Sequence, residues 1–76
     1  MKETIGQKIG NSLKTIRNEH KYNLEDLSLK SGVSSSTLSR YEAGIGKMKI
    51  DTLEKILNSY DISLDIFFNK IVAKTQ

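Results

Sequence analysis

Ser35, Ser36, Ser39 and Arg40 place three short hydroxyls and one guanidinium within six consecutive residues. None of these groups is a nucleophile without a base beside it, and neither histidine nor cysteine lies close in the chain. What they can do is exchange hydrogen bonds. A hydroxyl gives one and takes others, and arginine presents a planar fork that matches O6 and N7 of guanine. The chemistry on offer is recognition of polar edges, such as those of base pairs in a DNA groove. Two plainer uses stay open: a phosphate contact or surface salt bridge for Arg40, and helix capping with solubility for the serines.

Such a set works only if a rigid element presents it. Leu24, Leu27 and Val33 recur at helical spacing, Gly32 interrupts them, and Leu38 and Tyr41 resume the pattern. This predicts two short amphipathic helices joined by a glycine turn, a helix-turn-helix over about residues 24–42. Asn23 and Asp26 stand at the spacing of a capping box, and Ser34 is placed to cap the second helix. Ser28 is small enough to let two crossing helices approach. Gly32 supplies the left-handed residue on which the first helix ends.

The remaining pattern is helical as well. Ile5, Ile9, Leu13 and Ile16 write one face of a first helix, and Asn18 to Tyr22 the turn after it. Gly44-Ile45-Gly46-Lys47 reads as a loop. A fourth helix spans about Ile50 to Tyr60 and buries Leu53, Ile56 and Leu57; Ser63 caps a last one running through Phe67 and Phe68 to about Val72. No strand pattern competes. The expectation is one all-α domain over residues 1–76, with a core at about 5–69 and a short tail at 70–76.

Composition narrows the function. A chain of 76 residues has one small core, without cysteine for a disulfide or a thiolate metal site. The single histidine, His20, sits in a charged turn as a solvated side chain, so neither a zinc site nor a histidine-centred triad is expected. The stretch Gly44-Ile45-Gly46-Lys47 looks like the end of a phosphate loop, but Tyr41 and Met48 stand where glycine and Ser/Thr are needed. Neither an enzyme nor a cofactor is expected. Without an apolar run of membrane-span length or a signal-peptide core, the expected location is cytoplasmic. Net charge is +3, with nine Lys or Arg against five acids in residues 1–50 and three against four beyond. A basic front with an acidic rear suits one face on phosphate, although solubility alone accounts for so small an excess. Only two of the twelve basic residues are arginine, Arg17 and Arg40.

The segment resembles the Xre, or lambda-repressor-like (Cro/CI), family of helix-turn-helix proteins. The resemblance runs through Ile9-Gly10, Leu13, Ile16-Arg17, Asn23, Leu27, Gly32-Val33-Ser34, Ser36 to Glu42, Gly44, Thr52-Leu53, Ile56 and Ile62 to Asp65. Length and the Phe67-Phe68 ending are similar to short stand-alone members of the restriction-modification controller type. The resemblance implies a compact five-helix bundle that docks its second motif helix in the DNA major groove. It implies base contacts from Ser35, Ser36, Ser39 and Arg40, and phosphate contacts from Asn23, Thr37, Lys47 and Lys49. It also implies an ion pair between Arg17 and Glu42 that sets the angle of the recognition helix. Relatives often carry glutamine where this chain has Ser35 and Ser36, so direct base readout is expected to be thin; they often carry it at Leu24 as well, so the phosphate contact made from there is not expected here. Lys49 stands where Ser or Thr is common and Met48 where proline is frequent. A lysine caps a positive helix end poorly, and a bound phosphate would explain it; a solvated loop lysine is the alternative.

The apolar crowding of Phe67, Phe68, Ile71 and Val72 suggests a dimer seam, with both rings capping the core as the alternative. The expected function is sequence-specific binding of double-stranded DNA by a homodimeric transcription regulator on a palindromic operator. Two other readings remain: an antitoxin-type module with a protein partner, and the DNA-binding part of a larger ligand- or peptide-sensing regulator.

Overall fold

The computed structural model describes residues 3–73, with the side chains of residues 70–72 left out. Among these residues every regular element is helical: α1 (Ile5–Glu19), α2 (Leu24–Ser31), α3 (Ser35–Ala43), α4 (Ile50–Asn58) and α5 (Leu64–Ile66), which continues into a π-helical turn at Phe67–Val72. No helix among them is long and apolar enough to cross a membrane.

Each helix starts where a side chain can satisfy free backbone N–H groups, save one. The Thr4 hydroxyl accepts from the Gln7 amide while the Gln7 side chain accepts from the Thr4 amide, a capping box the apolar pattern did not reveal. Asn23 and Asp26 form the box expected of them, at 2.7 and 3.1 Å. Ser34 caps α3 and Ser63 caps α5. The exception is α4, whose first position, Lys49, makes no side-chain cap. Between α2 and α3 the chain turns on Gly32 at φ +75°, a backbone that L side chains adopt only under strain.

The core gathers Leu13 and Ile16 of α1, Leu27 of α2, Leu38 and Tyr41 of α3, Leu53, Ile56 and Leu57 of α4, and Phe67. Ile5 does not join them. It is 63% exposed, because the first turn of α1 projects past the core, and the expected four-residue apolar face begins at Ile9. Helices α1 and α3 touch backbone to backbone: a methyl group on Gly10 would lie 2.5 Å from the Glu42 carbonyl oxygen. Helix α4 stops at Asn58, two residues before the expected end, yet Tyr60 in the following turn is still buried. Its ring stacks on Tyr22 at 5.9 Å and tilts against His20 at 4.8 Å, so His20, although exposed, belongs to an aromatic cluster.

The C-terminal apolar residues divide. Phe67 is wholly buried and meets Phe68 edge-on, so it fills the core and has no surface to give to a dimer seam, contrary to expectation. Phe68 is half-buried, Ile66 is 44% exposed, and the Ile71 side chain lies outside the described residues.

Arg17 holds three segments together. Its Nε and Nη2 donate to the two carboxylate oxygens of Glu42 at 2.7 and 3.1 Å, and Nη1 donates to the Tyr22 carbonyl at 2.7 Å. The side chains are only 14% and 9% exposed. The hydrogen bond to Glu42 raises the Arg17 pKa further, so the guanidinium stays charged. Removing one partner strands a half-buried charge. Glu42→Ala is expected to cost about 3 kcal/mol in urea unfolding, where an exposed pair would cost under about 1 kcal/mol.

Burial also raises the Tyr60 phenol from 10.0 to about 12, and its hydroxyl has no hydrogen-bond partner among the described residues. The unfolded phenol ionises first. The stability that Tyr60 contributes through this shift is therefore complete below pH 10 and falls as the pH rises toward 12. Tyr60→Phe is expected to keep or raise stability near neutrality and to lessen the alkaline loss, as read by thermal unfolding at about pH 8 and about pH 11.

Candidate nucleic-acid interface

Helix α3 turns Leu38 and Tyr41 into the core, which leaves Ser36, Ser39 and Arg40 on its exposed side. Ser35 sits at the edge of that side and is half-buried. Of the four residues expected to meet base edges, three are thus freely presented. Thr37 is half-buried on the flank toward α4, and its hydroxyl oxygen accepts a hydrogen bond from the Ser34 hydroxyl at 2.9 Å. The motif is short at both ends: Ser34 closes one terminus of α3 and the left-handed Gly44 the other.

Between α3 and the start of α4 lies a groove of about 320 Å³, lined by Thr37, Arg40, Tyr41, Ile45, Lys47, Lys49 and Thr52. Three of these side chains are cationic, and no carboxylate is among them. Arg40 is part of this group because its guanidinium folds back over the loop: Nη2 lies 3.6 Å from the point where a side chain on Gly46 would begin. The recognition helix and the loop lysines therefore share one cationic surface. Lys49, expected as a misplaced cap, makes no side-chain cap bond, and α4 keeps its positive N-terminal end open toward this groove.

The start of α2 differs. The Asn23–Asp26 box uses the Asn23 carbonyl oxygen and closes two of the free amides there, and Glu25 with Asp26 adds negative charge to the first turn. Few free amides are left there to hold a phosphate, and of the contact expected from Asn23 the exposed side-chain NH₂ remains as a donor. On that side α3 borders a cleft of about 290 Å³ lined by Lys14, Arg17, Leu24, Ser39, Glu42 and Ala43.

Lys14 and Thr52 border the surface although neither was expected to contact DNA; Thr52 counted only among the residues of the family resemblance. Lys14 is one of ten lysines on a helix with a clear apolar face, and nothing in its spacing distinguishes it. Tyr41 was legible only as a core residue. Its ring fills that place, but its hydroxyl accepts the Lys49 backbone N–H at 2.8 Å and borders the cationic groove. The Arg17–Glu42 pair lies behind this surface and fixes the end of α3, with Glu42 next to Tyr41.

Comparison with known proteins places this arrangement. No curated protein sequence matches the chain. A crystal structure of a point mutant of the restriction-modification controller protein C.Esp1396I superposes with a TM-score of 0.82, at 27% identity, over 97% of this chain and 94% of that one. The helix-turn-helix family model matches residues 13–67, from the core leucine of α1 to the buried Phe67. That span contains α2, α3 and the whole cationic groove, and the chain belongs to the helix-turn-helix family of DNA-binding transcription regulators of the Xre/Cro-CI type.

Proposed function

We propose that the chain binds a specific double-stranded DNA site as a homodimer, with α3 seated in the major groove and the α3–α4 groove on the flanking backbone. The observation that carries this reading is the continuity of the exposed α3 face with a three-cation, carboxylate-free groove. A duplex offers both partners side by side: base edges in the groove and phosphates on its rim. Ser36, Ser39 and Arg40 meet the bases, with Ser35 at the margin. Thr37, Lys47 and Lys49 meet phosphate, and the Asn23 amide does so from the other rim.

Short hydroxyls reach little beyond the helix surface and do not discriminate strongly between donor and acceptor edges. Specificity then falls on Arg40, on bridging water and on the shape of the DNA. The resting place of Arg40 against Gly46 favours a second role for it, as a phosphate clamp. The two roles leave different signatures in mutant binding.

Dimerisation is supported by an apolar groove that borders the same loop and shares Lys49 with the cationic one. A groove of about 400 Å³ is lined mainly by Ile5, Ile9, Met48, Ile50, Leu53 and Phe68, and Ile66 is exposed nearby in the chain. Two copies related by a two-fold axis present two recognition helices to successive major grooves, about one DNA turn apart.

Selection from random duplexes near physiological salt is expected to recover an inverted repeat with half-site centres about one helical turn apart. Folded protein that enriches no sequence would overturn the reading. On a recovered site, Arg40→Ala is expected to relax one base position by about 1–3 kcal/mol if the arginine reads a base, and to weaken all sequences alike if it clamps phosphate. Lys49→Ala is expected to weaken binding to every duplex and to make the salt dependence shallower by about one unit per subunit; an unchanged slope removes Lys49 from the backbone contact.

A further inference from the structure

We infer that the Tyr41 hydroxyl is itself a DNA-phosphate ligand, donating its proton to a phosphodiester oxygen seated in the groove at the start of α4. The inference rests on the DNA-binding reading above and adds to it a residue that composition and spacing assign to the core.

Tyr41 is 6% exposed and belongs to the core of α3, yet it also lines the groove, and its hydroxyl lies 2.8 Å from the backbone nitrogen of Lys49, another lining residue. A phenol oxygen accepts and its O–H donates. The acceptor side is used: the Lys49 N–H donates to it at 2.8 Å. The donor side is not, since the O–H has no acceptor among the described residues. A nearly buried donor with no acceptor, opening on a groove, marks the place of an acceptor that arrives with a ligand.

The surrounding groups narrow what that acceptor is. Arg40, Lys47 and Lys49 are donors only, and the hydroxyls of Thr37 and Thr52 can turn theirs inward. The first backbone bond within α4 is Leu53 N–H to the Lys49 carbonyl. The amides of Ile50, Asp51 and Thr52 therefore have no intrahelical partner, and no side chain caps them. Asp51 is the acid of this first turn, and it is exposed and does not line the groove. A site built of donors and cations takes an anion with several acceptor oxygens. Of the groups on a duplex, only the phosphodiester fits.

The same hydroxyl sets the position of the seat. By accepting from Lys49 it holds the start of α4 at a fixed distance from the recognition helix, so the phosphate bound there is in register with the bases under α3. Tyr41 thus acts in two ways, one mechanical and one by direct contact, and a neutral donor makes them separable. Losing the contact alone removes a hydrogen bond without removing a charge. Losing the mechanical tie displaces Lys47 and Lys49 and changes the number of neutralised phosphates.

The test is Tyr41→Phe, measured for duplex binding across a salt series beside the wild-type chain and Lys49→Ala. The expected result is about tenfold weaker binding to every sequence, with a salt slope equal to that of the wild type. Undiminished binding overturns the inference, and so does weakened binding with a slope as shallow as that of Lys49→Ala, which would leave Tyr41 only its mechanical role. Should the variant fold poorly, inorganic phosphate is titrated into the wild-type protein and followed through backbone amide resonances. Saturable shifts at Lys49, Ile50 and Thr52 are expected, and their absence overturns the inference. If the wild-type chain binds no duplex, the DNA-binding reading itself fails, an outcome distinct from a silent Tyr41→Phe.

Discussion

Everything that faces outward on this domain depends on one guanidinium. Arg17 sits in the last turn of α1 and spends all three of its nitrogens on two neighbours, the carboxylate of Glu42 at the end of α3 and the carbonyl of Tyr22 in the turn before α2. A recognition helix of nine residues is too short to hold its own direction through local bonds. Its outer face carries almost nothing to pack, so its orientation comes from what lies behind it. A two-pronged ionic bond is directional in a way that apolar packing is not. The core and the close backbone contact of α1 with α3 supply most of the cohesion, and the ion pair adds a directional tie at the end of α3.

With the angle settled, charge does the sorting. The first turn of α2 carries two carboxylates and closes its own amides, whereas the first turn of α4 is left open beside two lysines. Two helix starts on the same molecule thus face a polyanion with opposite electrostatic character. In the proposed complex the contrast favours the α4 side of the binding surface. A lysine stands at this helix start where a small capping hydroxyl would stabilise the isolated helix better, and the phosphate contact proposed above gives it a use. In the proposed complex, stability given up at that helix end is recovered by the phosphate seated there.

Much of the fold was legible in the sequence because its signals are local. The Asn23–Asp26 box, the left-handed Gly32, the Ser34 cap and the alternation of Leu38 and Tyr41 with polar residues each concern neighbours within a turn or two, and the structure shows each of them. What periodicity could not give was the reach of the core. Ile5 has the right spacing but lies past the end of the packing, and Phe67 lies inside it although adjacent aromatic residues suggested a surface. The π-helical turn at Phe67–Val72 likewise has no signature in residue types. At the interface the outward serines and Arg40 could be read from helical phase, and the Arg17–Glu42 pair from family resemblance. The fold of Arg40 onto Gly46 and the bond from Lys49 to Tyr41 could not, since both join α3 to a loop whose path depends on glycine conformations.

The contact at Gly10 has a consequence for the thermodynamics of association. Where two helices meet backbone to backbone, with no room for even a methyl group, little slack is left for one to tilt or slide on the other. The backbone beneath the recognition face is then ordered before any ligand arrives. In the proposed complex the entropy lost on binding falls on the long side chains at the rim, Arg40, Lys47 and Lys49, each of which would give up rotamer freedom on engaging. A scaffold assembled in advance confines the cost of ordering to a few torsions, and a domain with so small a core can in this way hold a large, stiff polyanion.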